Sequence, residues 1–307
     1  MAPRLLAILL LVLFACATQP VAQPTPAQTP IAAAAAAQFP TTVTDFDGKS
    51  VTVATRPERI VSIGPSNTEF LFALRAGDRV IAVDDFSDVP AEAKSKEKIG
   101  GVKPNVEKIV SLRPDLVVSV KISDGSLERI AAQSITVLVV DPKGVADVTR
   151  TAILLGQAIG ADGQGLAKSI EDGLNAVKAK AGIVKKKRVF HEIDASDPNK
   201  LFTAGPGSFI HDLIEVAGGI NIAARASSPF PQLSPEEIVR ADPEIIVLGD
   251  AGYGVTVEQV SSRPGWSGIT AVKNKRIVAV DTNLVHRPGP RLAQGAELYL
   301  KIVSETP

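Results

Sequence analysis

The sequence predicts an α/β chain of two similar lobes, each built on a parallel sheet, joined by one long helix and separated by a cleft. Three observations predict it. The first is a helix-turn-strand unit that occurs twice without a gap, at Asn105–Val118 and at Ser234–Val247. Each copy opens on a capping residue, Asn105 or Ser234, and carries a glutamate two places on, Glu107 or Glu236. An Ile-Val step, a helix-stopping proline and a β-rich run follow in both. Copies this far apart are not a stacked solenoid, which needs three or more units, so they mark two lobes and make Glu107 and Glu236 matched positions. The second observation is the alternation of strand-like and helix-like runs through both halves. The third is the unbroken helical pattern from Val145 to about Ala181, which would tie the halves together.

The elements follow in order. Met1 to Ala15 holds one basic residue, Arg4, and the apolar run Leu5–Phe14, far shorter than the roughly 20 residues of a membrane span, so it reads as an export signal. Cys16 is the chain's one cysteine, which excludes an internal disulfide. Residues 16–40 are rich in Pro, Ala, Thr and Gln with no apolar period and read as a flexible tether. Val43–Val53 carries Asp47-Gly48 between β-rich flanks, a hairpin signal. Arg59–Ile63 reads as a buried strand, Pro65–Glu69 as a turn and cap, and Val80–Val83, Leu116–Val120 and Thr136–Val140 as further strands of a first lobe over 41–147. A connecting helix is expected over 148–183. A second lobe over 184–307 takes Val189–Ile193 and Ile277–Val280 as strands, Phe209–Val216 as a helix stopped at Gly218-Gly219, and a last amphipathic helix after Pro290.

Composition narrows the function. A formal net charge of zero leaves no electrostatic footprint for nucleic acid, and the one basic run, Lys185–Arg188, leads into a strand and reads as solvated. Gly205-Pro206-Gly207-Ser208 before a helix lacks the lysine and spacing of a P-loop. No Gly-x-Ser-x-Gly elbow is present, and the cysteine sits in the export segment, so the commoner nucleophile arrangements of an extracytoplasmic hydrolase are missing. A receptor for bare zinc or manganese would draw on several His and carboxylate ligands, and the chain has three histidines and no His-rich loop.

The motifs Ser62-Ile63-Gly64-Pro65-Ser66-Asn67-Thr68-Glu69, the repeated units, Phe202-Thr203-Ala204-Gly205-Pro206-Gly207-Ser208-Phe209-Ile210, Gly218-Gly219-Ile220-Asn221, Phe230-Pro231-Gln232-Leu233-Ser234 and Arg287-Pro288-Gly289-Pro290-Arg291 carry a resemblance. The chain from about Val43 onward resembles the substrate-binding proteins of bacterial ABC importers for iron-siderophores, haem and cobalamin. Cys16 after Leu13-Phe14-Ala15 similarly resembles a lipobox, which implies a lipid-anchored chain exposed outside the membrane.

The resemblance implies a monomeric receptor without catalytic activity or cofactor, two lobes on a rigid helix, and small motions on binding. It implies that Glu107 and Glu236 pair with arginines of a permease dimer. It implies a metal-chelate ligand, cobalamin, a ferric siderophore or haem, in the cleft between the lobes. Ser66, Asn67 and Phe86 would contact that ligand from the first lobe, and Phe202, Phe230 and Tyr253 from the second, with Trp266 a further candidate. Arg287 and Arg291 would meet oxygen acceptors of the chelate or brace the last helix, and His286 would reach haem iron. Cobalamin binders of the family carry tryptophan where this chain has Phe230 and Gly101, so the corrinoid motif is incomplete here.

Overall fold

A computed structural model describes residues 38–305. The expectations for the export signal, Cys16 and the tether as far as residue 37 lie outside the described residues. The first lobe opens on β1 (Thr41–Thr44) and β2 (Ser50–Val53), an antiparallel hairpin whose Gly48 takes φ 78°. Five strands follow: β3 (Ile60–Ile63), β4 (Val80–Val83), β5 (Glu97–Lys98), β6 (Leu116–Ser119) and β7 (Thr136–Val139). They form a sheet in the order β5-β4-β3-β6-β7, parallel throughout. Crossovers carry α1 (Pro65–Ala73), α2 (Val106–Ser111) and α3 (Ser126–Ala131). β3 and β6 are buried at every residue, as strands covered on both faces must be. The chain leaves β3 toward β4 on one side and later returns to β6 on the other, so a crevice opens beyond their carboxyl ends.

The expected connecting helix is present as two helices, α4 (Val145–Ile159) and α5 (Gly163–Ala181), turned back on each other at Gly160, whose φ is 68°. At about 1.5 Å per residue α4 is about 22 Å long. It is fixed at both ends, one to each lobe. The N–H of Val145 donates to Asp212 (3.0 Å), in the second lobe, and the carbonyl of Ile159 accepts from Arg79 (3.0 Å), in the first.

The second lobe contains β8 (Arg188–Asp194), β9 (Leu201–Thr203), α6 (Phe209–Val216), β10 (Ile220–Asn221), β11 (Gln232–Leu233), α7 (Pro235–Ala241) and β12 (Ile245–Leu248). It continues with α8 (Val257–Ser261), α9 (Thr270–Lys273), β13 (Ile277–Ala279), α10 (Thr282–Val285) and α11 (Leu292–Ser304). β8, β12, β13 and β10 are parallel, while β9 and β11 add an antiparallel edge. The connection from Asp194 to Leu201 is too short for the crossover that a parallel partner requires, so β9 turns back. One hydrophobic core runs without a break through the first-lobe sheet, α4, α5, α6 and α11, and two smaller clusters cover the outer face of each sheet; all three lie within the described residues.

The duplication reaches further than the two helix units. Arg59 and Arg188, Arg113 and Asp242, and Asp115 and Glu244 are all 129 residues apart. Arg59 donates through its side chain to the carbonyls of Leu112 and Arg113 and through its N–H to Asp115. Arg188 repeats the pattern on the carbonyl of Asp242 and the carboxylate of Glu244. Arg113 and Asp242 both end their helix left-handed, at φ 46° and 45°. One strand-start clasp is therefore built twice.

The α4–α5 hairpin closes so tightly that a Cβ at Gly163 would fall on the backbone of Ala152 and Ile153. Gly163→Ala should therefore lower stability by about 1–3 kcal/mol in urea unfolding. Gly182→Ala, whose Cβ would meet the Ala179 carbonyl at an ordinary 3.4 Å, should leave the transition in place.

Candidate ligand-binding cleft

The first-lobe wall is built at the β3/β6 switch point. Gly64 takes φ 107° after β3, where a side chain would strike Val120 after β6. Its N–H donates to Asp84 Oδ2 (2.8 Å). Asp84 also accepts from Ser87 Oγ (2.6 Å) and the Phe86 N–H (2.9 Å), and Lys98 Nζ donates to the carbonyls of Asp84 and Ser87. The loop after β4 is thereby braced, and Phe86 stands out of it, 53% exposed, beside Val102 at 81%. Both line a cavity of about 560 Å³ with Ile63, Pro65, Val120 and Ile122. A Cβ at Gly101 would meet the Phe86 ring at 3.3 Å, so the glycine keeps that ring edge clear.

Ser66 and Asn67, expected on this wall, are both buried. Asn67 Nδ2 donates to the carbonyls of Ile63 and Val140 (3.1 Å each), so it clamps the ends of β3 and β7. Its position after a strand end drew the expectation, and its side chain is buried in the first turn of α1.

The seam between the lobes is ionic. Glu69 of α1 is 4% exposed and accepts a two-pronged contact from Arg291, Nε to Oε2 at 2.7 Å and Nη2 to Oε1 at 2.8 Å. Arg287 reaches the same carboxylate at 3.3 Å, Asp88 at 2.7 Å and the Phe86 carbonyl at 3.1 Å. Two arginines of the second lobe thus meet two carboxylates of the first, with no net charge left over. Planar guanidinium groups suit this paired geometry.

On the second lobe Phe230 and Tyr253 are exposed, and so, less fully, is Phe202, on β9 opposite Gln232 of the edge strand β11. The loop bearing Phe230 is tied to the strand beside it, as the N–H groups of Gly205 and Thr203 donate to the carbonyls of Pro229 (2.8 Å) and Pro231 (3.0 Å). Trp266 is instead core, packed edge-on to Phe190 with their ring centres 6.3 Å apart. Its isolation in the sequence gave no sign of that packing. Glu107 and Glu236 are exposed, each the second residue of its helix, α2 and α7.

Two buried polar groups lie beneath the second-lobe strand ends. His191 on β8 shares a hydrogen bond with the Tyr299 hydroxyl at Nδ1 (2.7 Å) and faces His286, Nε2 to Nε2, at 3.0 Å. One of the two facing Nε2 atoms donates and the other accepts, so both imidazoles are neutral partners in one chain of hydrogen bonds. Burial pushes both imidazoles down, His286 to about 4, and the neighbouring His286 lowers His191 further. His286 Nε2 is therefore engaged within the protein. Glu192 on β8 is held by both terminal nitrogens of Arg263, which lies 4.8 Å over the Trp266 ring. Beside it Asp250 is buried with no hydrogen-bond partner on either oxygen among the described residues, and burial and the Glu192 charge push its carboxyl up to about 7. Sequence reasoning missed Glu69, Asp250 and Glu192 as a set, since each partner is distant in the chain. Among the described residues no group of three His, Cys, Asp or Glu side chains is arranged to hold a metal ion.

A family model described as periplasmic binding protein matches residues 60–284, which takes in both walls and the first-lobe carboxylates of the seam. The chain belongs to the periplasmic binding protein family. A curated relative in Bacillus subtilis, the uncharacterized ABC transporter substrate-binding lipoprotein YvrC, is 38% identical over 269 residues, 84% of each chain. A cobalamin-binding protein of Halobacterium salinarum is 31% identical over 84% of this chain and 73% of its own. The apo heme-binding protein RhuT from Roseiflexus sp. RS-1 superposes with a TM-score of 0.72 at 28% identity, over 80% of this chain and 98% of that one. The family is one of transport binding proteins, and the chain is the substrate-binding component of an ABC transporter.

The buried acid and the histidines oppose each other with pH. Asp250, raised from 3.8 to about 7, holds a proton in the folded state that the unfolded chain releases, so its stabilising effect is complete below pH 4 and is lost as pH rises toward 7. His286, lowered from 6.5 to about 4, stabilises above pH 6.5 and loses that effect as pH falls toward 4. Asp250→Asn should accordingly gain stability over the parent progressively from pH 4 to 7 and hold a constant advantage above it. Thermal unfolding across that range checks the sign.

Proposed function

We propose that the chain captures cobalamin, or a corrinoid of the same uncharged character, in the cleft and delivers it to its permease without performing chemistry. The observation that carries this reading is the disposal of charge at the seam. Arg287 and Arg291 are neutralised by Glu69 and Asp88, so neither guanidinium is free for the anionic oxygens of a ferric catecholate or a haem propionate. The surface left for a ligand is apolar and aromatic, from Phe86 and Val102 on one lobe and Phe230 and Tyr253 on the other. Such rings give large contact area at low entropic cost, which suits a bulky neutral chelate. The engagement of His286 with His191 speaks against an axial haem ligand. The cobalamin-binding relative at 31% identity supports the same class.

Phe202 adds a third ring at the margin of the second-lobe wall. Glu107 and Glu236 dock the two lobes on the permease dimer, where rim charges act on orientation and association rate more than on affinity. Cys16 carries the lipid that keeps the receptor at the outer face of the membrane, and the receptor works as a monomer. The first lobe, the helical connection and the second lobe divide at about residues 147 and 183.

Calorimetric titration with cyanocobalamin, haemin and a panel of ferric siderophores tests the reading. One-to-one binding of cyanocobalamin, micromolar or tighter, is expected, and Phe86→Ala and Phe230→Ala should each weaken it by about tenfold or more. Tight haemin or siderophore binding without cyanocobalamin binding would contradict it.

A further inference from the structure

The end of the second lobe farthest from the cleft holds a second cavity that transport of a cleft ligand does not use. It measures about 420 Å³ and sits at the amino ends of β8, β12 and β13, next to the last turn of α5. Lys185, Lys187 and Arg276 line it together with the polar side chains of Asn274 and Ser304. Two carboxylates stand beside it. Glu244 is held by Arg188, through the backbone N–H at 2.9 Å and the guanidinium at 3.3 Å, while Glu305, half-exposed, pairs with Arg276 at 3.8 Å and accepts from Lys187 Nζ at its carbonyl (2.6 Å). Arg276 Nε is buried without a partner among the described residues. Lys187 is pushed down by burial and then by the neighbouring charge of Arg276, the mark of two cations facing one space. Lys180, Lys186, Lys273 and Lys275, all exposed, add positive charge at the same end of a chain whose formal net charge is zero.

We propose that this cavity binds a phosphate group between Lys185, Lys187 and Arg276, and that the phosphate is the headgroup of an anionic phospholipid. The phosphate chemistry follows from three cations around one cavity, with Arg276 Nε buried and unpartnered among the described residues, in a space with room for a phosphate and its ester groups. The lipid source follows from Ile183, which lines the same cavity and is 93% exposed, the barest large apolar side chain among the described residues. An exposed isoleucine beside a ring of lysines is the pairing that binds a membrane interface: charge brings the surface close, and the side chain enters the headgroup layer. The site is independent of the ligand in the cleft. It would give the receptor a resting contact with the membrane through one end of the molecule, leaving the cleft mouth, Glu107 and Glu236 clear.

The test uses a chain beginning at Gln38, which carries the whole core. Flotation with phosphatidylcholine vesicles, with and without phosphatidylglycerol, gives the lipid arm; calorimetry with inorganic phosphate and with soluble glycerophosphoglycerol gives the free-phosphate arm. Recruitment is expected only with phosphatidylglycerol, falling with salt, and the pair Lys185→Glu, Lys187→Glu should reduce it by roughly tenfold or more. Ile183→Ser should weaken vesicle binding and leave phosphate binding unchanged. Both variants alter exposed or half-buried side chains, and an unchanged thermal midpoint establishes that they fold. Recruitment indifferent to the charge reversal overturns the site, and phosphate binding without any vesicle recruitment overturns the lipid assignment.

Discussion

Glu69 is the constraint on which the arrangement of the lobes depends. A carboxylate at 4% exposure is costly unless its charge is answered, and here the answer comes from the other lobe, through Arg291 and Arg287. Removing either side would leave a buried charge unpaired, which is worth about 3–5 kcal/mol. The same contact decides three things at once. It fixes the spacing of the lobes, it joins the braced loop of Phe86 to the second lobe through Arg287, and it neutralises the positive charge of the second-lobe arginines at the seam. A cleft that has spent its arginines on itself is left with aromatic and aliphatic surface to offer.

The helical connection works in the same direction. α4 is held by Asp212 at one end and Arg79 at the other, and the core passes through it from one sheet to the next. Hinged receptors close around a ligand because a few loop residues absorb the motion. Here the segment between the lobes is two packed helices, and ion pairs close the seam. Affinity then comes from a surface prepared in advance, with little cost for ordering it.

Much of this was legible in the sequence, for physical reasons that differ by residue. The twin helix units showed because capping and chain reversal use few residue types, and both caps are made: Asn105 accepts from the Lys108 N–H at 2.9 Å, and Ser234 and Glu237 close a capping box. The wider clasp of Arg59 and Arg188 escaped notice because the strands between the matched residues share little beyond apolar character. Phe86, Phe230 and Tyr253 were expected on strand-end loops and are exposed there. Asn67 and Trp266 came from the same reasoning and are buried, since residue type and loop position do not say which way a side chain turns. The partners of Arg287 and Arg291 lie some 200 residues away, and His191 is one alternate position in a buried strand, so neither contact leaves a local pattern. Glu69 was read only as part of a cap because its charge is answered in three dimensions alone.

Small-angle scattering on the chain, free and saturated with cyanocobalamin, alongside Glu69→Gln under the same conditions, tests the central claim most directly. The account predicts the same radius of gyration for the native protein with and without ligand, and a larger one, or a broadened distance distribution, for the variant whose arginines have lost their partner. A native protein that contracts on binding, or a variant whose lobes keep their spacing, would show that something other than the Glu69 seam holds the cleft in place.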